Sequence, residues 1–473
     1  MLTSLSFLAP GQPWPPQTEA ERLERYAQNR LLFEGKHELV YKDWIRLLRE
    51  DQQATLEMVL NWHKRLTLLS ADLLLGEPPR ITAGHQDSPE QEAVERIIAS
   101  NDLFNVAYEV ALDVSRYGTG IFKVRYDGRA IVEGQQPAIW FPVVKPDNIK
   151  EIQAHVLAWT WDEEQKGFFG AKKVTHLKAE IHERGRIATV EYLVREGKIA
   201  SEVSREEQDT GVDEFLIVPV NNILTTDRVT GLDDYRDLDS IIQELEVRVA
   251  QISRILDRHA DPNMYGPDTA LEHDPATGQW TFRGGGKYFP VSQGEQPPGY
   301  VTWDGQLDAS FRQIELLMEQ LFILSETSAA VFGQLKAGLA ESGTALRRLM
   351  MSPLAKVNRI RMRFDPALKE VLRLASMLEM AQGKAGAVVL GNIRIDWKDG
   401  LPDDEQELTQ NEVQRYTAGL TSLESSLRRL YGLEGQALRE EIDRIRSGQA
   451  GQGVTDLPPI TLPPAGGEGA GEE

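Results

Sequence analysis

Apolar residues recur at three-and-four spacing from Leu238 through Ile241, Ile242, Leu245, Val249, Ile252 and Leu256. They do so again at Phe311, Ile314, Leu317, Leu321, Phe322 and Leu324. That period predicts two amphipathic helices, the first about 40 Å long at 1.5 Å per residue. Glu244 and Arg248 stand one turn apart on its polar side, where opposite charges support a helix. Both apolar stripes are broad, so each must be covered by another helix or another subunit.

The pattern elsewhere divides the chain. Residues 18–75 read as largely helical, opening with a capping box of Thr18 and Glu21 and ending at Gly76-Glu77-Pro78-Pro79. Helices follow over 89–100 and 104–117. From Ile121 to Leu224 the period falls to two, predicting a β-rich region with turns at Asp127-Gly128, Arg184-Gly185 and Glu196-Gly197. The acidic stretch Ser201 to Glu214 reads as a solvated loop. Between the two long helices, residues 261–306 hold short aromatic strands and Gly-rich turns. Gly333, Gly338 and Gly343 punctuate a loop, after which residues 344–363 resume a helix, with Pro353 predicting a kink. Helix continues to about Met380, a strand falls at 392–397, and helices are expected over 403–417 and 422–446. Residues 447–473 form a Gly, Pro and Glu tail too polar to fold.

Composition narrows the classes. A length of 473 residues implies two to four subdomains at roughly 100 to 200 residues each. No run of 18 apolar residues exists to span a bilayer, and Met1 to Pro16 lacks the basic flank and apolar core of a signal peptide, so a cytoplasmic location is expected. The absence of cysteine excludes disulfides, thiol nucleophiles and thiolate zinc sites. A formal charge of -21 makes tight nonspecific DNA binding a poor expectation, because that depends on Lys and Arg neutralising phosphates. It leaves DNA open as a passing cargo.

Candidate chemistry is sparse. Gly284-Gly285-Gly286-Lys287 approaches a phosphate loop, but Tyr288 follows where Ser or Thr is needed and no helix opens there. His176 and His182, with Glu180 between them, share a strand face; six residues at 3.3 Å separate the two by about 20 Å, too far for one metal ion, so surface polarity is the expected role. Asp403-Asp404-Glu405 suits a helix start. The basic run Arg347, Arg348, Lys356, Arg359, Arg361 and Arg363 has two readings: contact with phosphates or an acidic neighbour at a subunit boundary, or the wet face of an amphipathic helix. Trp280, Phe282, Tyr288, Phe289, Tyr300 and Trp303 make either a small β core or a docking surface. No nucleophile, base and metal come together, so no catalytic residue, cofactor or metal is expected.

Several segments occur in a telling order. Asn61-Trp62 leads to Ala71-Asp72-Leu73-Leu74-Leu75-Gly76-Glu77-Pro78-Pro79, and Asn101-Asp102-Leu103-Phe104 leads to Arg116-Tyr117-Gly118-Thr119-Gly120. Phe141-Pro142-Val143-Val144-Lys145-Pro146-Asp147, Val218-Pro219-Val220-Asn221-Asn222, Gly231-Leu232-Asp233-Asp234 and Ser342-Gly343-Thr344-Ala345-Leu346 follow. In this order they resemble the portal proteins, or head-to-tail connectors, of tailed double-stranded DNA bacteriophages. The stem entry is poorer in serine, and the end richer in glycine, than that family's pattern.

The resemblance implies an α+β, mainly α, portal fold with long stem helices, a β-rich wing, a small α/β clip and a helical crown, assembled as a ring. It implies a wing at 1–232, a first stem helix at 233–260, a clip at 261–306, a second stem helix at 307–325 and a tunnel loop at 326–343. A long kinked helix and return strand would occupy 344–400, crown helices 401–446 and a disordered tail 447–473. A dodecamer at one capsid vertex would then pass double-stranded DNA for packaging, retention and ejection. Its implied partners are the terminase large subunit, the head-tail adaptor, and the major capsid and scaffolding proteins, with no membrane. Gly333, Gln334, Lys336, Gly338, Arg347 and Arg348 would lie at the channel; Lys356, Arg359 and Arg363 would be inter-subunit or DNA-proximal; and Trp280, Phe282, Lys287, Tyr288, Tyr300 and Trp303 would dock terminase or adaptor. The competing readings are a minor head or scaffold protein, and an enzyme using the Gly284–Gly286 loop on phosphorylated substrates.

Overall fold

The computed structural model describes residues 1–41, 58–85, 87–167, 170–260, 307–333, 348–398, 405–433 and 435–451, with short pieces between 264 and 300. These fall into two compact units, 1–400 and 401–473. The fold mixes helices with open antiparallel sheets.

Helix α1 (Ala20–Phe33) begins after a 3-10 turn at Gln17–Glu19. Thr18 lies inside that turn and does not cap; Glu19 takes the cap position with no side-chain cap bond and holds Arg22 at 2.7 Å instead. A single helical turn, α2 (His37–Val40), follows. In α3 (Trp62–Leu75) the cap is Asn61, whose side chain accepts from the Lys64 backbone N–H at 3.0 Å. After strand β1 (Arg80–Ala83), Ser88 caps α4 (Pro89–Asn101), and α5 (Leu103–Tyr117) stops at Gly118, in the left-handed region.

Two sheets follow. Strands β2 (Thr119–Tyr126), β3 (Ala130–Gln135) and β9 (Ile217–Asn221) form one, ordered β3-β2-β9. The other runs β4 (Trp140–Val144), β5 (Ile152–Gly167), β6 (Gly170–Glu183), β7 (Arg186–Arg195) and β8 (Lys198–Asp209) in sequence order. Gly128, Gly185 and Gly197 supply positive φ at the turns. The acidic stretch expected to be a loop is largely β8, an edge strand laddered to β7. Its side chains beyond Ile199 are exposed, so it carries no apolar alternation; backbone pairing alone defines it. One face of this sheet, including Phe141, Val156, Leu177, Ile181 and Val190, is covered by Leu2, Phe7 and Leu8 from the N-terminal segment. Removing that apolar area from water at roughly 25 cal/mol per Å² fixes the segment to the sheet.

The long helices are α6 (Asp239–Ala260) and α7 (Leu307–Leu324). Between them lie two nested antiparallel pairs, β10 (Met264–Tyr265) with β13 (Gly299–Tyr300) and β11 (Leu271–His273) with β12 (Trp280–Phe282). Helix α8 (Met351–Ala381) lays Ile360, Phe364, Leu368 and Val371 into the interior, with Phe364 against Phe122 at 5.9 Å. Strand β14 (Ile393–Asp396) then pairs with β1. Pro353 does not kink α8: the helix restarts after Met350, which puts Pro353 in the first turn, where its missing N–H costs little. The proline within the helix is Pro366.

The second unit contains α9 (Glu405–Thr417), α10 (Leu423–Tyr431) and α11 (Gly435–Gly451). The single helix expected over 422–446 is therefore two, broken where Gly432 turns left-handed, and helix persists to Gly451 inside the stretch expected to be tail. Buried Glu412 receives Arg415 at 3.0 Å and Arg429 at 3.3 Å, tying α9 to α10.

Candidate functional site

The helix pair is built on a small apolar cluster and a larger polar root. Leu238, Ile242 and Leu245 of the α6 segment meet Leu321 of α7 and Leu66 of α3, with Trp62, Ile314, Leu317 and Phe332 packed around them. The expected stripes therefore do face each other, and α3 covers part of what they leave open.

At the N-terminal end of α6 the chain passes through a tight crossing. Gly118 has φ +77, and a Cβ on it would collide with the Gly231 carbonyl; one on Gly231 would collide with the Gly118 carbonyl. Only glycine fits at both positions. The crossing delivers Asp233, Asp234 and Tyr235 into the interior. Arg25 bridges Asp233 at 2.8 Å and Asp239 at 2.5 Å; burial opposes its charge, but hydrogen bonds and attraction from both carboxylates hold its pKa above the usual value. Asp234 accepts from Ser115 at 2.7 Å and Asn222 at 2.8 Å. Tyr235 shares a 2.7 Å hydroxyl contact with Thr67, and burial is the main reason its pKa is raised. Two histidines complete the root: His37 lies 2.7 Å from Glu246 and His63 lies 3.1 Å from Asp239. Burial lowers the His63 pKa, with Asp239 opposing. These partners come from distant parts of the sequence, so the root was not foreseen; the only local signal was the Gly231-Leu232-Asp233-Asp234 segment.

The basic helix joins the same root. Lys356 is 6% exposed, lies 3.1 Å from Asp234 and donates to the Ser325 carbonyl at 3.4 Å. Within the chain the buried amine of Lys356 and the Asp234 carboxylate thus partner each other. Arg359 makes a two-pronged contact with Glu326, which raises the arginine pKa and lowers that of the carboxylate, the mutual hydrogen bond being the largest cause of each. Arg361 donates to the Leu73 and Lys398 carbonyls. Arg348, Arg363 and Gly333 are exposed. Gln334, Lys336, Gly338, Arg347, Lys287, Tyr288 and Trp303 lie outside the described residues. Trp280 and Phe282 lie on β12 and Tyr300 on β13, which belong to different strand pairs.

The helix pair is not fully covered. Phe311, Leu316, Ile323 and Leu324 of α7 and Leu256 of α6 are exposed, Ile323 at 64%. Leu316 and Ile323, seven residues apart, share a face turned away from the Leu317–Leu321 contact, whereas Leu324 continues the Leu317 side.

The histidine pair also departs from expectation. His176 and His182 are buried rather than surface polar groups. His176 contacts Glu163 and Glu191, and His182 lies 3.6 Å from Glu180, which Lys123 also holds. Burial works to raise the Glu180 pKa, but the neighbouring His182 and the hydrogen bond and positive charge of Lys123 prevail and bring it down to about 2. Among the described residues no group of three or more metal-ligating side chains is assembled, and no helix is long and apolar enough to cross a membrane.

A family model described as "Phage portal protein, SPP1 Gp6-like" matches residues 16–453. The chain belongs to this family of phage portal proteins. Three solved structures are similar to this portal family member. "Virion of native gene transfer agent (GTA) particle" is 13% identical, with 90% of this chain and 97% of that chain covered and a TM-score of 0.43. "Neck of empty GTA particle computed with C6 symmetry" is 14% identical, with 79% and 90% covered and a TM-score of 0.46. "Neck of native GTA particle computed with C12 symmetry" is 12% identical, with 78% and 89% covered and a TM-score of 0.41. No curated protein matches the chain.

Proposed function

We propose that the chain closes into a ring of twelve copies at one vertex of a virus-like capsid and forms the channel for DNA packaging, retention and ejection. Membership of the portal family supports this reading, and the observation that carries it is the apolar stripe of Leu316 and Ile323, exposed on the face of α7 turned away from α6. A neighbouring copy in a ring would remove that stripe from water. In this arrangement residues 233–260 and 307–325 are the stem, 261–306 the clip, 326–343 the tunnel loop, 1–232 with 344–400 the wing, and 401–446 the crown.

The charge supports a channel that DNA does not adhere to. Twelve copies at -21 carry about -250, and a mostly acidic lumen repels a duplex bearing one charge per roughly 1.7 Å. Exposed Arg348 and Arg363 remain available for local contacts, whereas Lys356 and Arg359 work inside the protomer. The portal binds the terminase large subunit and then the head-tail adaptor through its clip, contacts capsid and scaffolding proteins, and catalyses no reaction itself. It assembles in the host cytoplasm and ends in the virion.

Electron microscopy of the purified chain tests this. Views down the symmetry axis should show closed rings with a hole wide enough for a duplex. A monomer or an open fibre would instead favour another structural component of the virion.

A further inference from the structure

The second face of the five-stranded sheet packs on the three-stranded sheet, with Trp140 and Leu157 against Ile121 and Ile217. Two buried histidines stand at this junction, His155 on β5 directly opposite His182 on β6. Trp140 donates its indole N–H to His155 Nδ1 at 3.1 Å. An indole can only donate, so that nitrogen carries no proton and the His155 ring is neutral. Phe215 meets the ring at 4.9 Å, and Arg184, over the Phe215 ring, is paired with Glu214 at 3.3 Å. His182 is 1% exposed, and neither of its ring nitrogens has a hydrogen-bond partner among the described residues. The Glu180 carboxylate stands 3.6 Å from His182 Nε2 but bonds across the junction to Lys123 of β2. A cavity of about 190 Å³ opens beside them. Its other charged side chain, Arg125, is held by Glu133 at 2.7 Å and Asp127 at 3.8 Å, and Tyr126 gives its hydroxyl to the Gly128 carbonyl. Strands β7 and β8 and the end of α8 line it with uncharged groups, Thr189, Gln208 and Gln382 among them.

We propose that this histidine pair is an acid-operated latch, whose protonation parts the five-stranded sheet from the three-stranded one. A proton on His182 makes a cation beside Glu180, which then pairs within its own strand and gives up Lys123 across the junction. The new imidazolium and the Lys123 ammonium also repel each other. A proton on His155 Nδ1 removes the acceptor that the buried Trp140 N–H needs. The cavity gives water a way to the His182 ring without passing through the apolar core. Burial is the main cause that lowers the pKa of both rings, that of His155 to about 3 with His182 adding to the effect, while Glu180 opposes the shift at His182. Because both are lowered in the closed junction, its stability is full above the ordinary histidine value of 6.5 and falls as pH drops below it.

Amide hydrogen exchange of the full chain, read by mass spectrometry and corrected for the intrinsic rate at each pH, tests the latch. Between about pH 6 and about pH 5, uptake of two protons should raise the opening of β2, β5 and β6 by up to about 100-fold. Helices α9 and α10, which contain no histidine, should change far less. His182→Gln should cut the rise to about tenfold, and adding His155→Gln, whose amide oxygen still accepts from Trp140, should nearly abolish it. The comparison of strands with helices in the unsubstituted chain stands even if these variants fail to fold. Equal acceleration along the whole chain, no acceleration in β2 and β5, or an undiminished rise in a folded His182→Gln chain would overturn the proposal.

Discussion

The root of the helix pair and the exposed stripe of α7 lie on the same elements but are finished differently. At the root, Arg25, Asp234, Tyr235, His63 and Lys356 each find partners within the chain, drawn from α1, α3, α5, α6 and α8. Along the stripe, Leu316 and Ile323 are exposed. The root fixes the chain's own fold, and in the proposed ring the stripe is where a neighbouring copy packs. A substitution at the root should therefore cost protomer stability, and one on the stripe should cost assembly.

The largest effect should come from the buried pair at the root. Lys356→Ala strands Asp234 and should destabilise the chain by about 3–5 kcal/mol in denaturant unfolding. Lys356→Ala with Asp234→Ala should cost less than the sum of the two single changes, because the partners are coupled. Next, Leu321→Ala should cost about 2–5 kcal/mol, whereas Leu316→Ala, only five positions away on α7 but exposed, should stay within about 0.5 kcal/mol by the same measurement. Equal costs at these two leucines would erase the distinction between inner and outer face.

Gly118→Ala should lose about 1–3 kcal/mol, since it combines φ +77 with a collision at Gly231. Gly197→Ala, strained in φ but with open space around it, should lose less. The smallest effect concerns acid. Folded His63 has a lowered pKa, so as pH falls through the ordinary histidine value of 6.5 the unfolded chain takes a proton that the folded chain refuses. Stability at the root is present above that pH and lost below it, at no more than about 1.4 kcal/mol per pH unit for one proton. His63→Gln should flatten that slope in melts recorded from pH 7 downward.

What could be read in advance was local. The helices expected over 89–100 and 104–117 and the hairpin glycines at 128, 185 and 197 all carry their signal within a few residues. Strand β8 was misread because its side chains are solvated and only its backbone is paired. The same limit applied to Lys356: one charge among five arginines in the sequence, it is set apart by Asp234, which the fold brings to it from the far side of the helix pair. The N-terminal segment, read as short and proline-broken, serves as the lid of a sheet core for the same nonlocal reason.

The claim that the outer stripe is an assembly surface is tested most directly by sedimentation velocity of the unsubstituted chain beside Leu316→Glu with Ile323→Glu. The account predicts a large, discrete ring for the first. It predicts a monomer for the second, with unchanged circular dichroism and unfolding midpoint. A double variant that still sediments as the ring, or an unsubstituted chain that stays monomeric at every concentration, would contradict it.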